Sequence, residues 1–132
     1  MSKKPRVLIV DDDTQISLTL NDILSLLGYE VSTASTGGGA IENMEKNQFD
    51  CILSDIKMSG MNGVDLCKAI KQGHPDLPVI LMTAYTHDDL CERGLQEGAA
   101  NILQKPLNMD ELLKLISTLT KRSEERRVGK EC

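Results

Sequence analysis

Apolar residues follow two alternating rhythms along the chain. Short unbroken runs, bounded by polar residues, read as buried strands. Stretches with apolar positions three and four apart read as helices. Residues 7–10 form the first run and end on Asp11-Asp12-Asp13. Ile16, Leu20, Ile23, Leu24 and Leu27 then recur at helical spacing, and Gly28 marks the end of that helix. Residues 29–34 alternate and predict a second strand; Ser35 and Thr36 are caps for a helix reaching about Lys46. Residues 49–54 predict a third strand, 64–72 a helix, 79–83 a strand opened by Pro78, and 88–97 a helix ended by Gly98. A short strand over 101–104 precedes Lys105-Pro106, and Asn108 caps a last helix over 109–120.

Five strand and helix units in strict alternation, with continuous apolar strands, predict an α/β domain whose parallel sheet is covered on both faces. The 132 residues suit one domain. A chain of that length buries roughly two-thirds of its unfolded surface and needs no covalent staples. Aromatic residues are limited to Tyr29, Phe49 and Tyr85, so the core is aliphatic. A formal net charge of −5 argues against direct nucleic-acid binding, which selects basic surfaces. Cys51, Cys67, Cys91 and Cys132 show no CxxC and no metal spacing with His74 or His87. Reduced thiols and a cytoplasmic location are expected, and the apolar run at 7–10 is too short for a membrane span.

Parallel strands share a carboxyl edge, and the residues delivered there carry the chemistry. The first strand delivers Asp11 and Asp12, the third Asp55, the fourth Thr83 and the fifth Lys105. A lone acid at a strand end is most often a cap, so Asp55 alone would carry little weight; the other strand ends change that. Clustered carboxylates raise one another's pKa unless a cation joins them. An oxygen-only set suits Mg²⁺ better than zinc. Thr and Lys facing such a site suit a phosphoryl group, whose oxygens need hydrogen bonds and neutralisation, and Asp can itself accept that group as an acyl phosphate.

The motifs VLIVDDD, LSDIKMSGMNG, PVILMTAY and LQKPL, in this order, resemble the receiver domain of bacterial two-component response regulators over about residues 6–120. The resemblance implies a doubly wound, flavodoxin-like (βα)5 sheet in the order 2-1-3-4-5. It makes Asp55 the acceptor of a phosphoryl group from a phosphohistidine on a histidine kinase or histidine phosphotransfer protein. Mg²⁺ would be bound by Asp12, Asp55 and the main-chain carbonyl of Lys57, with Asp11 acting through water. Thr83 and Lys105 would contact the phosphoryl group, small Ala84 would leave the approach open, Lys105-Pro106 would be cis, and Asp13 would start the first helix. The implied protein is a signalling switch that catalyses its own phosphorylation and slow dephosphorylation, and hands the result to an output domain or target protein.

Three positions depart from the family pattern: Ser59 replaces a usual Pro, Ile102 a usual switch aromatic and Leu107 a common Phe, with Tyr85 as a substitute aromatic. Ile102 is expected on the output face made by the fourth helix, fifth strand and last helix. The loop after the fourth strand is expected to shift on phosphorylation without an aromatic flip at 102. Alternative readings are an aspartate-nucleophile phosphatase, a flavin-binding module and an unphosphorylated interaction module. The phosphatase lacks its expected Thr or Val at Gln15 and a cap domain; the flavin site would not tolerate an acidic first loop. Gly37-Gly38-Gly39 reads as a flexible helix start, not a phosphate loop, and His74 and His87 as exposed loop residues. Leu18 points away from the apolar stripe of its helix. Residues 1–121 are expected to form the domain. Residues 122–132 lack an apolar pattern, resemble the translation of a widely used sequencing adapter, and are expected to be a non-native tail.

Overall fold

The computed structural model describes residues 4–58, 60–84 and 89–129, the last eight by backbone alone. Expectations for Ser59, Tyr85, His87 and the loop at 85–88 fall outside the described residues. The elements alternate as β1 (Arg6–Val10), α1 (Thr14–Leu26), β2 (Glu30–Ala34), α2 (Gly37–Lys46), β3 (Cys51–Asp55), α3 (Gly63–Gly73), β4 (Val79–Thr83), α4 (Asp89–Gln96), β5 (Asn101–Gln104) and α5 (Met109–Gly129). All pairings are parallel and the strand order is β2-β1-β3-β4-β5, the doubly wound order expected from the resemblance.

Side-chain alternation along the strands divides the core in two. Val7 and Ile9 of β1, Cys51 and Leu53 of β3, and Ile80 and Met82 of β4 pack with Leu20 and Leu24 of α1 and Leu112, Ile116 and Leu119 of α5. Leu8, Val10, Ile52, Val79 and Leu81 face the other way, onto Ala40 of α2, Val64, Leu66, Cys67 and Ile70 of α3, and Cys91 of α4. Burying each such Leu or Ile contributes about 1.5–3 kcal/mol, so aliphatic side chains suffice without aromatic mass. Cys51, Cys67 and Cys91 are free and buried, and burial pushes the Cys51 thiol up to about 12.

Caps set the helix ends. Asp13 precedes α1 and its carboxylate accepts the Gln15 and Ile16 N–H groups at 3.0 and 3.4 Å. The Thr36 hydroxyl accepts from Gly39 N–H, Asn62 from Asp65 N–H and Asn108 from Glu111 N–H. Gly28 (φ 96°) and Gly98 (φ 101°) end α1 and α4 in left-handed conformation. There the next residue's N–H reaches back to Leu24 and Gly94 carbonyls at 3.0 Å each, closing paired-bond C-caps.

Two local differences from expectation have physical causes. β3 starts at Cys51, not at 49, because Asp50 exchanges bonds with Arg6. Its N–H donates to the Arg6 carbonyl and its carboxylate accepts the Arg6 N–H, both at 2.8 Å. The helix expected to end at 120 runs to Gly129. Lys, Arg and Glu are good helix formers and neither Gly nor Pro interrupts them before Gly129, so propensity extends the backbone where no apolar pattern does. Ile102, on the edge strand beside α4, is half-buried against the core, and α4 presents Gly94 there and approaches closely. A Cβ on Gly94 would stand 2.7 Å from Leu81 Cδ1 and 3.6 Å from Ile102 Cδ1. Leu18 is exposed as expected (61 %), and His74 is exposed at the end of α3. Among the described residues no helix is long and apolar enough to cross a membrane.

Candidate functional site

The strand register assembles the site. Val10 pairs with Ser54, so Asp11 and Asp55 each stand one residue further along neighbouring strands. Asp55 pairs with Met82, which places Thr83 one residue beyond it on the next strand. Thr83 pairs with Gln104, and the Lys105 N–H donates to the Thr83 carbonyl at 2.8 Å. Main-chain bonds continue past the strand ends: Asp11 N–H donates to the Ala34 carbonyl at 3.1 Å and Ile56 N–H to the Met82 carbonyl at 2.9 Å. The sheet thus fixes the backbone of Asp11, Asp55, Thr83 and Lys105.

Side chains then converge. Asp11, Asp12 and Asp55 each offer a carboxylate oxygen, and these oxygens lie within 4.8 Å of one another. Lys105 Nζ lies 3.1 Å from Asp11 Oδ2 and 3.3 Å from Asp55 Oδ1. Asp11 and Asp55 are buried at 1 % and 8 % exposure, Thr83 at 2 %, whereas Asp12 faces solvent. The other Asp11 oxygen accepts the Asp13 N–H at 2.9 Å, which fixes the turn from β1 into α1. Ala84, next to Thr83, is exposed. Lys57 is exposed in the loop that leaves Asp55. The Lys105–Pro106 peptide is cis.

Burial raises the Asp55 pKa; the Lys105 charge opposes this, and Asp11 and Asp12 reinforce it. Burial lowers the Lys105 pKa, but the Asp55 charge and the bond to Asp11 outweigh it, so the amine holds its proton more tightly than usual. Lys105 thus answers Asp11 and Asp55, two of the three clustered carboxylates. Such a cluster of hard oxygen donors, with Asp12 open to water, fits a small divalent cation.

Gly63, at the start of α3, stands outside the residues that the sequence assigns to the site. It is a site residue in the structural sense. A Cβ there would collide with the main-chain oxygen of Asp55 and stand 2.9 Å from Ile56 Cα. The Gly63 N–H donates to the Ile56 carbonyl at 2.8 Å and closes the loop. α3 can sit this close behind the acid only because residue 63 has no side chain. A glycine beginning a helix shortly after a strand-end acid was the available signal; its spatial partner was not.

The model of the response regulator receiver domain matches residues 7–117. The chain is 41 % identical over 110 residues to the DNA-binding transcriptional regulator NtrC of Escherichia coli K12, covering 83 % of this chain and 24 % of that protein. It is 40 % identical over 106 residues to the transcriptional regulatory protein ZraR of Klebsiella oxytoca, covering 80 % and 24 %. It thus spans about a quarter of the length of these relatives. Among solved structures, a CheY-like receiver domain protein from Methanospirillum hungatei has a TM-score of 0.88 at 33 % identity, covering 93 % of this chain and 98 % of that one. The chemotaxis protein CheY4 of Vibrio cholerae has a TM-score of 0.82 at 33 % identity, covering 88 % and 98 %.

Proposed function

The chain belongs to the response regulator receiver domains of two-component signalling, and from that premise we propose that Asp55 is the phosphorylated residue and that the domain catalyses its own modification. The observation that carries this reading is the Lys105 ammonium, 3.1 Å from Asp11 and 3.3 Å from Asp55, beside carboxylates that outnumber it. A carboxylate oxygen of Asp55 attacks the phosphorus of a phosphohistidine on a sensor kinase or phosphotransfer protein. A P–O bond forms, the P–N bond breaks, and its electron pair returns to the imidazole, which takes a proton. Asp55 becomes an acyl phosphate.

Lys105 then pairs with phosphoryl oxygens in place of the Asp55 charge, and the Thr83 hydroxyl donates to another. Exposed Ala84 leaves the approach to Asp55 open. The carboxylates of Asp11, Asp12 and Asp55 and the main-chain carbonyl of Lys57 are the groups that would hold Mg²⁺, Asp11 through water. When bound, Mg²⁺ supplies the neutralisation that lets a phosphoryl group approach clustered carboxylates. Phosphorylation shifts the domain between two arrangements, favouring the one in which Thr83 and Lys105 reach the new group.

The same reading places the protein in the cytoplasm and takes 1–121 as the receiver domain, with 122–132 as non-native tail. Output passes to another domain or a target protein. The DNA-binding regulators among its relatives support an output domain that contacts DNA while this acidic domain does not. Incubation with Mg²⁺ and acetyl phosphate, followed by intact mass, tests the central step. One phosphoryl adduct is expected, dependent on Mg²⁺ and absent from Asp55→Ala. No adduct, or the same adduct in the variant, would refute it.

A further inference from the structure

Three consecutive glycines open α2, and glycine inside a helix costs about 1 kcal/mol relative to alanine. None of Gly37, Gly38 and Gly39 is among the glycines with positive φ, so backbone conformation does not demand them. Their surroundings differ. A methyl on Gly38 would meet nothing within 4 Å, and one on Gly39 would meet the Thr36 hydroxyl at 3.2 Å. A methyl on Gly37 would stand 2.9 Å from Met61 Sδ, 3.1 Å from its Cβ and 3.2 Å from its Cγ. A methyl on Gly39 would also touch Ala34 Cβ at an ordinary 3.6 Å, so of the three only Gly37 would bring a methyl within 3 Å of a neighbour. Contact with Cβ, Cγ and Sδ means that swinging the tip of Met61 would not relieve such a methyl.

Met61 belongs to the loop between β3 and α3, the loop that carries Lys57. The Gly63 N–H bond to the Ile56 carbonyl closes that loop at its base, and Met58 is half-buried against the core. Met61 adds a contact of its own to α2, reaching from the loop to Gly37, a buried position in the first turn of that helix.

We propose that Met61, seated on Gly37, is a positioning residue for the phosphorylation site: it docks the loop on α2 and so sets where the Lys57 carbonyl stands relative to the carboxylates. The proposal rests on the phosphorylation reading above. Cation affinity then depends on α2, an element that supplies no ligand.

The test measures acetyl phosphate labelling of the full chain against Mg²⁺ concentration, which separates half-saturating Mg²⁺ from maximal rate. Met61→Ala and Gly37→Ala are each expected to raise half-saturating Mg²⁺ roughly tenfold, the low end for residues that orient a metal ligand, with much less change in maximal rate. Met61→Leu and Gly38→Ala should stay within about twofold of the parent, and Gly37→Ala should add less than about twofold in a Met61→Ala background, where the methyl has room. If Gly37→Ala does not fold, the contrast between Met61→Ala and Met61→Leu decides. Half-saturation unchanged in Met61→Ala, or an equal penalty from Gly37→Ala with and without Met61, would overturn the proposal while labelling of Asp55 stands. An unlabelled parent would overturn the phosphorylation reading, and this one with it.

Discussion

Lys105 Nζ lies 3.3 Å from Asp55 Oδ1, which sets a positive charge directly beside a carboxylate proposed to hold a cation. The charge that steadies the metal-free site therefore competes with the metal. Lys105→Met is expected to bind Mg²⁺ roughly tenfold more tightly, about 1.4 kcal/mol, which is modest for removal of one like charge a few ångströms away. Calorimetric titration of the parent and the variant checks it, and equal or weaker binding would refute the competition.

Stability should depend on pH through Asp55. Its pKa is raised, by burial first, with the Asp11 and Asp12 charges adding to it against Lys105. The native state thus holds this proton more tightly than the unfolded chain. That contribution is complete below the unfolded carboxylate value of about 4 and is lost as pH rises through the raised native value. Lys105 is raised above 10.5, so its contribution stays complete across acid and neutral pH and is lost only as pH rises through its folded value. Without Mg²⁺, Asp55→Asn should match the parent near pH 4 and become the more stable protein toward neutral pH. Urea unfolding at a series of pH values measures this; a difference independent of pH would contradict it.

Two glycine substitutions should act in opposite directions. Gly63→Ala drives a methyl into the Asp55 main chain, where neither side can yield without moving a strand or a helix. A loss of about 3 kcal/mol or more is expected. Gly38→Ala places its methyl in open space at a helical position and should gain up to about 1 kcal/mol. Denaturant midpoints of the two variants decide it.

Removal of residues 122–132 should leave stability within about 0.5 kcal/mol. Leu112, Ile116 and Leu119 anchor α5 to the core, and all precede the cut. Thermal melting and Asp55 labelling of the shortened chain should both match those of the parent.

The strand-end residues were legible because parallel strands make a sequence pattern into a spatial edge. Asp11 and Thr83 follow an apolar run directly, Asp55 and Lys105 follow one after a single polar residue, and register alone brings their backbones together. Asp12 followed from its neighbour. Close approach was not legible. Nothing in the sequence links Gly37 to Met61, or Gly94 to Leu81 and Ile102, since those pairs meet only after helices pack on the sheet. The half-burial of Ile102 was not legible for the same reason: α4 comes close because Gly94 has no side chain. The length of α5 escaped because apolar periodicity marks where a helix is buried, not where its backbone hydrogen bonds stop.

The closeness of α4 to the sheet also sets how firmly it is held. Its eight residues bury Cys91 and Gly94 and half-bury Leu90, whereas α3 buries Val64, Leu66, Cys67 and Ile70. Little apolar surface is exposed when α4 lifts, so its local opening needs only a fraction of the global unfolding free energy. Its amides should exchange with deuterium well before those of α3. If Asp55 is phosphorylated as proposed, α4 is the part of the sheet's cover that the modification would remodel at least cost.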